Sequence, residues 1–184
     1  DEADRLNLLI QDLLTASKLQ AQRGIQLDFD DVDLFQLATR SVERFRTQTD
    51  KHIITLQVPK NFPLIQGDGL RLLQVIDNLI GNAIKYSPAG GTITVGGKYD
   101  VNSVTLYVSD EGVGLSNEDR KRVFERFFRV DGRLSRTAQG TGLGLYLSKA
   151  IIDAHEGLID VESQPGQGST FFFILPRFQI IEPD

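Results

Sequence analysis

The sequence has no cysteine, no methionine and no tryptophan, and only two histidines, His52 and His155. Without cysteine there is neither a disulfide framework nor a thiolate metal site, which accords with a reducing compartment, and two histidines are too few for a zinc centre. Without methionine, Asp1 does not read as a natural start, so the expectation is a piece cut from a longer protein. Long apolar runs are missing too: the longest, Phe171 to Leu175, is far short of a bilayer span, and no signal-peptide pattern opens the chain. The fragment is expected to be soluble and cytoplasmic, whether or not the full-length protein is anchored to a membrane.

What is present is ordinary for a globular protein. The chain has 184 residues, 40% hydrophobic and 24% charged, enough for one well-cored domain and an appended element. A net charge of −5 argues against a general nucleic-acid binder. The distribution of that charge is more telling: Arg120 to Arg136 hold seven basic residues against Glu125 and Asp131, a local +5. A basic segment in an acidic protein suggests a small anionic ligand.

Residues 1–22 place Leu6, Leu9, Leu13 and Ala16 at helical spacing, with Leu8, Ile10, Leu14 and Leu19 widening the apolar face. So wide a face predicts a member of a helical hairpin or bundle; the alternative is a terminal helix packed on its own domain. Arg23-Gly24 ends that helix. Ile25, Leu27 and Phe29 then alternate as a short strand, and Asp33 caps a helix from Leu34 to about Gln48. A strand from His52 to Val58 ends at Pro59, and Leu64 to Gln66 is a brief extended piece. A helix at 68–86 follows, then strands from Thr92 to Tyr99 and Val104 to Ser109. A short helix near Asn117 to Phe124, an apolar helix from Leu145 to Ala154, and strands from Leu158 to Ser163 and Ser169 to Leu175 complete the chain. The tally predicts an α/β sandwich, with about five strands in one sheet and three longer helices, most simply on one face.

Chemistry concentrates in three places. On the 68–86 helix, Leu72, Val75, Ile76, Leu79, Ile80 and Ala83 form a core stripe, and Arg71, Gln74, Asn78, Asn82 and Lys85 fall on the other side. Asn78, Gly81 and Asn82 are poor helix formers, so something other than helix stability selects them. Asn82 offers an amide oxygen suited to Mg²⁺, Lys85 a cation for phosphates and Tyr86 a ring for a base; an ordinary wet face is the alternative. Two glycine turns, 112–114 and 140–144, suit phosphate or ribose cradles or plain strand-to-helix corners. The second precedes a helix whose free N–H groups favour phosphate, yet neither a P-loop nor a dinucleotide-binding Gly-x-Gly-x-x-Gly is present, because Leu145 holds the last glycine position. Asp110, where an apolar strand meets the first turn, needs a donor such as an adenine amino group, or else stabilises the turn itself.

Together, Asn78/Asn82/Lys85/Tyr86, Asp110/Gly112/Gly114, Phe124-Glu-Arg-Phe-Phe-Arg129 and Gly140/Gly142/Gly144 resemble, in order and spacing, the N, G1, F and G2 boxes of sensor histidine kinases. Pro165 to Phe171 is similar to the family's last glycine box. The resemblance implies a Bergerat-type two-layer fold with a mixed sheet over residues 24–178. It makes 1–23 the second helix of a dimerisation and phosphoacceptor hairpin, and 179–184 a tail. It implies ATP or ADP and Mg²⁺ as ligands, with Asn82 on the metal, Asn78 and Lys85 near the phosphates, Tyr86 against the base, Asp110 on the adenine amine and Arg129 at the terminal phosphate. Gly112, Gly114, Gly140, Gly142, Leu143, Gly144 and Thr170 would complete the nucleotide site, and Asn78, Lys85 and Arg129 would serve catalysis. Residues 130–139 would be a lid. The implied reaction is transfer of the γ-phosphoryl group to a histidine absent from this sequence, on the same or a partner protomer, in a homodimeric kinase that serves a response regulator. In related gyrase-type ATPases a Glu base stands where Asn78 stands, so the amide argues against hydrolysis. A gyrase-type hydrolase and a non-catalytic nucleotide-binding module are the alternatives. The phosphoacceptor box itself is missing, and His52 and His155 read as structural.

Overall fold

A computed structural model describes residues 25–130 and 141–177. The expected N-terminal bundle helix, the lid and the C-terminal tail lie outside the described residues, and of the site residues so does Gly140. Strands β1 (Asp30–Val32) and β3 (Ile65–Gly67) form a two-stranded antiparallel sheet. Strands β2 (His52–Gln57), β4 (Gly91–Tyr99), β5 (Ser103–Asp110), β6 (Leu158–Ser163) and β7 (Ser169–Pro176) make a five-stranded sheet in the order β2-β4-β5-β7-β6. β2 runs parallel to β4 and every other pair is antiparallel, so the sheet is mixed.

Helices α1 (Leu34–Arg46), α2 (Gly69–Tyr86) and α4 (Gly144–Ala154) pack together on this sheet, and α3 (Asn117–Arg122) is a short connector. The period of two along each strand decides which face they cover. Ile93 and Val95 of β4, Val104, Leu106 and Val108 of β5, and Phe171, Phe173 and Leu175 of β7 are buried in one core with Leu72, Val75, Ile76, Leu79 and Ile80 of α2. The expected two-layer α/β sandwich is the observed one.

Local differences have local causes. The alternation at Ile25, Leu27 and Phe29 does not make a strand; β1 begins at Asp30, because its partner β3 has only three residues. Upstream of that register the Asp28 N–H donates instead to the Asp68 carboxylate. Helix α1 stops at Arg46, two residues early, where the Thr47 hydroxyl and the Gln48 N–H take the Arg44 and Phe45 carbonyls. Asp33 caps it as expected, accepting from the Gln36 N–H at 3.0 Å.

Both histidines sit at the ends of α2. His155, 1% exposed, accepts the Asp68 N–H on Nε2 at 2.9 Å and donates from Nδ1 to the Ile151 carbonyl at 2.7 Å. Burial holds its pKa below the usual 6.5, against the opposing effects of the Ile151 carbonyl and the Asp68 carboxylate. A depressed histidine pKa means that the unfolded chain binds the extra proton more readily, so stability is whole above the unfolded value and declines as pH falls toward the folded one. The denaturation midpoint should therefore drop between about pH 7 and pH 5, and less steeply in His155→Gln, which cannot take up that proton. Parallel pH profiles for the two proteins would exclude His155 as the cause.

Candidate functional site

Helix α2 presents its polar side to the start of α4. Its first turn is fixed by Asp68, whose side chain accepts from the Leu70 and Arg71 N–H groups. Two turns on, the Asn78 Nδ2 donates to the Ser148 hydroxyl at 2.9 Å. Gly144 makes this approach possible, since a β-carbon there would overlap the Asn78 amide oxygen. Asn82, one turn further, is half-buried and has no hydrogen-bond partner among the described residues, whereas Asn78 beside it donates to Ser148. The Asn82 amide oxygen is thus a neutral hard donor of the kind that suits a magnesium ion. The Lys85 ammonium lies 4.9 Å from the centre of the Tyr86 ring. Asp77, the only acidic residue of α2, turns the other way, accepting from the Ser41 hydroxyl and pairing with Arg44 on α1.

The last residue of β5 forms the second wall. Asp110 is 7% exposed; its Oδ1 accepts the Gly112 N–H at 2.8 Å and faces the Ser87 hydroxyl at 3.4 Å. Desolvation pushes its pKa up, and hydrogen bonds from the Gly112 and Ser169 backbone and from Ser87 pull it back only in part. An added donor would stabilise this under-compensated carboxylate. The turn that follows rests on main-chain bonds, Val113 N–H to the Tyr86 carbonyl at 3.1 Å and Gly166 N–H to the Val113 carbonyl at 2.8 Å. Gly112 and Gly114 thus line the end of α2 on one side and the 164–168 turn on the other.

The third wall is the N-terminus of α4. Among the described residues no side chain caps it, Leu143 occupying the cap position, and uncapped first-turn N–H groups of a helix suit an anion. Leu143 is buried with Leu147, and the half-buried Tyr146 packs against them, which limits the part of Leu143 in a ligand site to the backbone. The Gly142 carbonyl accepts the Phe127 N–H at 3.0 Å and ties this turn to the 124–129 segment. There Arg129 lines a cleft with Arg122, Glu125, Arg126, Phe127 and Phe128. Two arginines stack on rings, Arg122 on Phe128 and Arg126 on Phe127.

Thr170 is not brought to this group. Along β7 the buried residues are Ser169, Phe171, Phe173 and Leu175, so Thr170 faces the other side of the sheet, where its hydroxyl meets that of Ser109 at 2.9 Å. Ser169 is the residue beside Asp110. Sequence reasoning also missed Ser148 and Ser87; a buried serine in the apolar run of α4 and a serine at a helix stop are weak signals until a partner is known.

The sequence pattern of the histidine kinase-, DNA gyrase B- and HSP90-like ATPase family matches residues 67–179. The chain belongs to this family. Within it the chain is similar to sensor histidine kinases. It is 37% identical over 179 residues to the sensor-like histidine kinase SenX3 of Mycolicibacterium smegmatis, a match covering 96% of this chain and 46% of that protein. It superposes on ShkA, solved full-length in complex with AMPPNP, with a TM-score of 0.81 at 31% identity over 95% of this chain and 36% of that one. The mycobacterial sensor histidine kinase MprB gives a TM-score of 0.69 at 30% identity, over 81% of this chain and 97% of that structure. The described chain is an ATP-binding catalytic domain of the histidine-kinase type, and it spans about half the length of the SenX3 relative. Among the described residues no helix is long and apolar enough to cross a membrane.

Proposed function

We propose that this chain binds Mg-ATP between the polar side of α2, the Asp110 turn and the start of α4, and donates the γ-phosphoryl group to a histidine on a separate helix. One observation favours transfer over hydrolysis. The only carboxylate of α2, Asp77, is engaged on α1, and at the start of α4 the helix offers the Asn78 amide, already bonded to Ser148. An amide cannot take a proton from water, so this wall supplies no general base. Asp110 would accept from the adenine amine, Tyr86 would lie against the base, and the first-turn N–H groups of α4 with Lys85 and Arg129 would hold phosphates. Asn82 would hold the magnesium ion, which suits an amide oxygen with no partner among the described residues. Bound magnesium would neutralise phosphate charge during an in-line displacement.

Residues 24–178 would form the nucleotide-binding unit and 1–23 the second helix of a dimerisation hairpin. In the full-length homodimer a response regulator would receive the phosphoryl group, on the cytoplasmic side. Neither histidine of the chain can be the acceptor, since both ring nitrogens of each are engaged: His52 with the Thr49 hydroxyl and the Ser87 carbonyl, His155 with the Asp68 N–H and the Ile151 carbonyl. Given labelled Mg-ATP, the chain alone should acquire no acid-labile label and release phosphate slowly, and should label a histidine-bearing hairpin once one is added. Rapid phosphate release by the chain alone would instead establish a hydrolase.

A further inference from the structure

His52 opens strand β2, remote in sequence from every residue so far assigned to the nucleotide, yet its hydrogen bonds lead to the base-reading carboxylate. The Ser87 carbonyl can only accept, so His52 Nε2, at 2.8 Å, carries the proton; Nδ1 is then the acceptor for the Thr49 hydroxyl at 2.7 Å. Ser87 is the C-cap of α2 and is 2% exposed. Its hydroxyl is directed at Asp110 Oδ1 from 3.4 Å, near the limit of a useful hydrogen bond, so a displacement of a few tenths of an ångström decides whether that bond exists. The same serine carbonyl accepts the Gly90 N–H at 2.9 Å, and the Lys51 carbonyl next to His52 accepts the Gly91 N–H at 3.3 Å. The start of β2 is therefore tied at two points to the turn between α2 and β4, the turn that carries the Ser87 hydroxyl to Asp110.

We infer that His52 is a positioning residue for adenine recognition: by fixing the Ser87 main chain it holds the Ser87 hydroxyl on Asp110 and keeps that carboxylate aimed at the base. The inference rests on the adenine-reading role proposed for Asp110. It deepens that role by assigning part of the base selectivity to a side chain that does not touch the nucleotide.

Two conservative variants separate this role from simple support of the fold. In His52→Asn the shorter side chain still reaches Thr49 but not the Ser87 carbonyl; in His52→Gln the amide nitrogen takes the place of Nε2. Affinities for Mg-ATP and Mg-GTP are measured by calorimetry at a temperature where circular dichroism shows each variant folded. His52→Asn should lower the ATP-to-GTP affinity ratio by roughly two- to fivefold, the effect of losing one weak neutral hydrogen bond, and His52→Gln should restore it. Equal weakening of both nucleotides in His52→Asn, or a ratio that glutamine fails to restore, would overturn the positioning role while leaving Asp110 as reader. Equal affinity of the native chain for ATP and GTP would remove Asp110 from base recognition and this inference with it.

Discussion

Replacing Asn82 with alanine should yield a folded protein whose affinity for ATP no longer responds to magnesium. The side chain lies on the wet side of α2, away from the stripe of Leu72, Val75, Ile76, Leu79 and Ile80, and makes no hydrogen bond among the described residues. Its removal leaves no polar group orphaned, and alanine raises helix propensity by up to about 0.7 kcal/mol, so the melting temperature should hold or rise slightly. The loss falls on the ligand: magnesium takes few protein ligands when phosphates supply the rest, so deleting one should bring the ratio of affinities with and without the metal close to about one. Asn78→Ala is the informative contrast. It strips the partner from Ser148, which is 2% exposed, and should cost about 1 kcal/mol of stability. An Asn82→Ala protein with native magnesium dependence would show that the metal is held elsewhere.

Gly168→Ala should be among the most damaging small substitutions at the site. Gly168 has φ +80, a left-handed conformation, and an added β-carbon would overlap the Asp110 carbonyl oxygen and approach the Glu111 Cα to 3.0 Å. Both neighbours are backbone, so no side chain can swing aside. The strained φ contributes about 1 kcal/mol and the forced shift a further 1–3 kcal/mol or so, which for a domain of this size lowers the melting temperature on the order of 5–15 °C. The displaced residue is Asp110, paired with Ser169 across β5 and β7, so the protein that remains folded should also bind ATP more weakly. Gly166→Ala serves as the control. It has a similar φ of +77 but nothing within 4 Å, so strain alone should make it the milder of the two.

The long elements were legible in the sequence because each has a period that a single physical cause enforces. The core stripe of α2 is the observed buried set, and β4, β5, β6 and β7 fall within a residue of their expected bounds. The aromatic and aliphatic alternation at Ile25, Leu27 and Phe29 gave a false strand for the opposite reason: periodicity shows which residues are half-buried, and Phe29 packs on the His155 ring at 5.5 Å without a strand partner to complete a ladder. The two-stranded β1-β3 sheet went unforeseen because three residues are too few to set a period.

Within the site, residue types were easier to read than their partners. Asn78, Asn82 and Asp110 declared themselves as polar groups in places that disfavour them. Thr170 and Ser169 could not be told apart by composition, since both are hydroxyl residues on one strand. The period of two puts Ser169 on the face of Phe171 and Phe173, but only the sheet pairing shows that this face brings it beside Asp110. Ser148 and His52 act through contacts made across 70 and 35 residues of chain, distances at which spacing has no meaning.

Helix α4 meets α2 at both of its own ends, through Gly144 and Ser148 against Asn78 at the beginning and through His155 against Asp68 at the finish. Two attachments far apart on one rod remove its freedom to pivot, where one would leave a hinge. The start of α4, proposed to hold phosphate, and the Asn82 amide, proposed to hold the metal, are consequently set at a fixed separation before any nucleotide arrives. The entropy of arranging them is lost when the chain folds and need not be lost again when ligand binds.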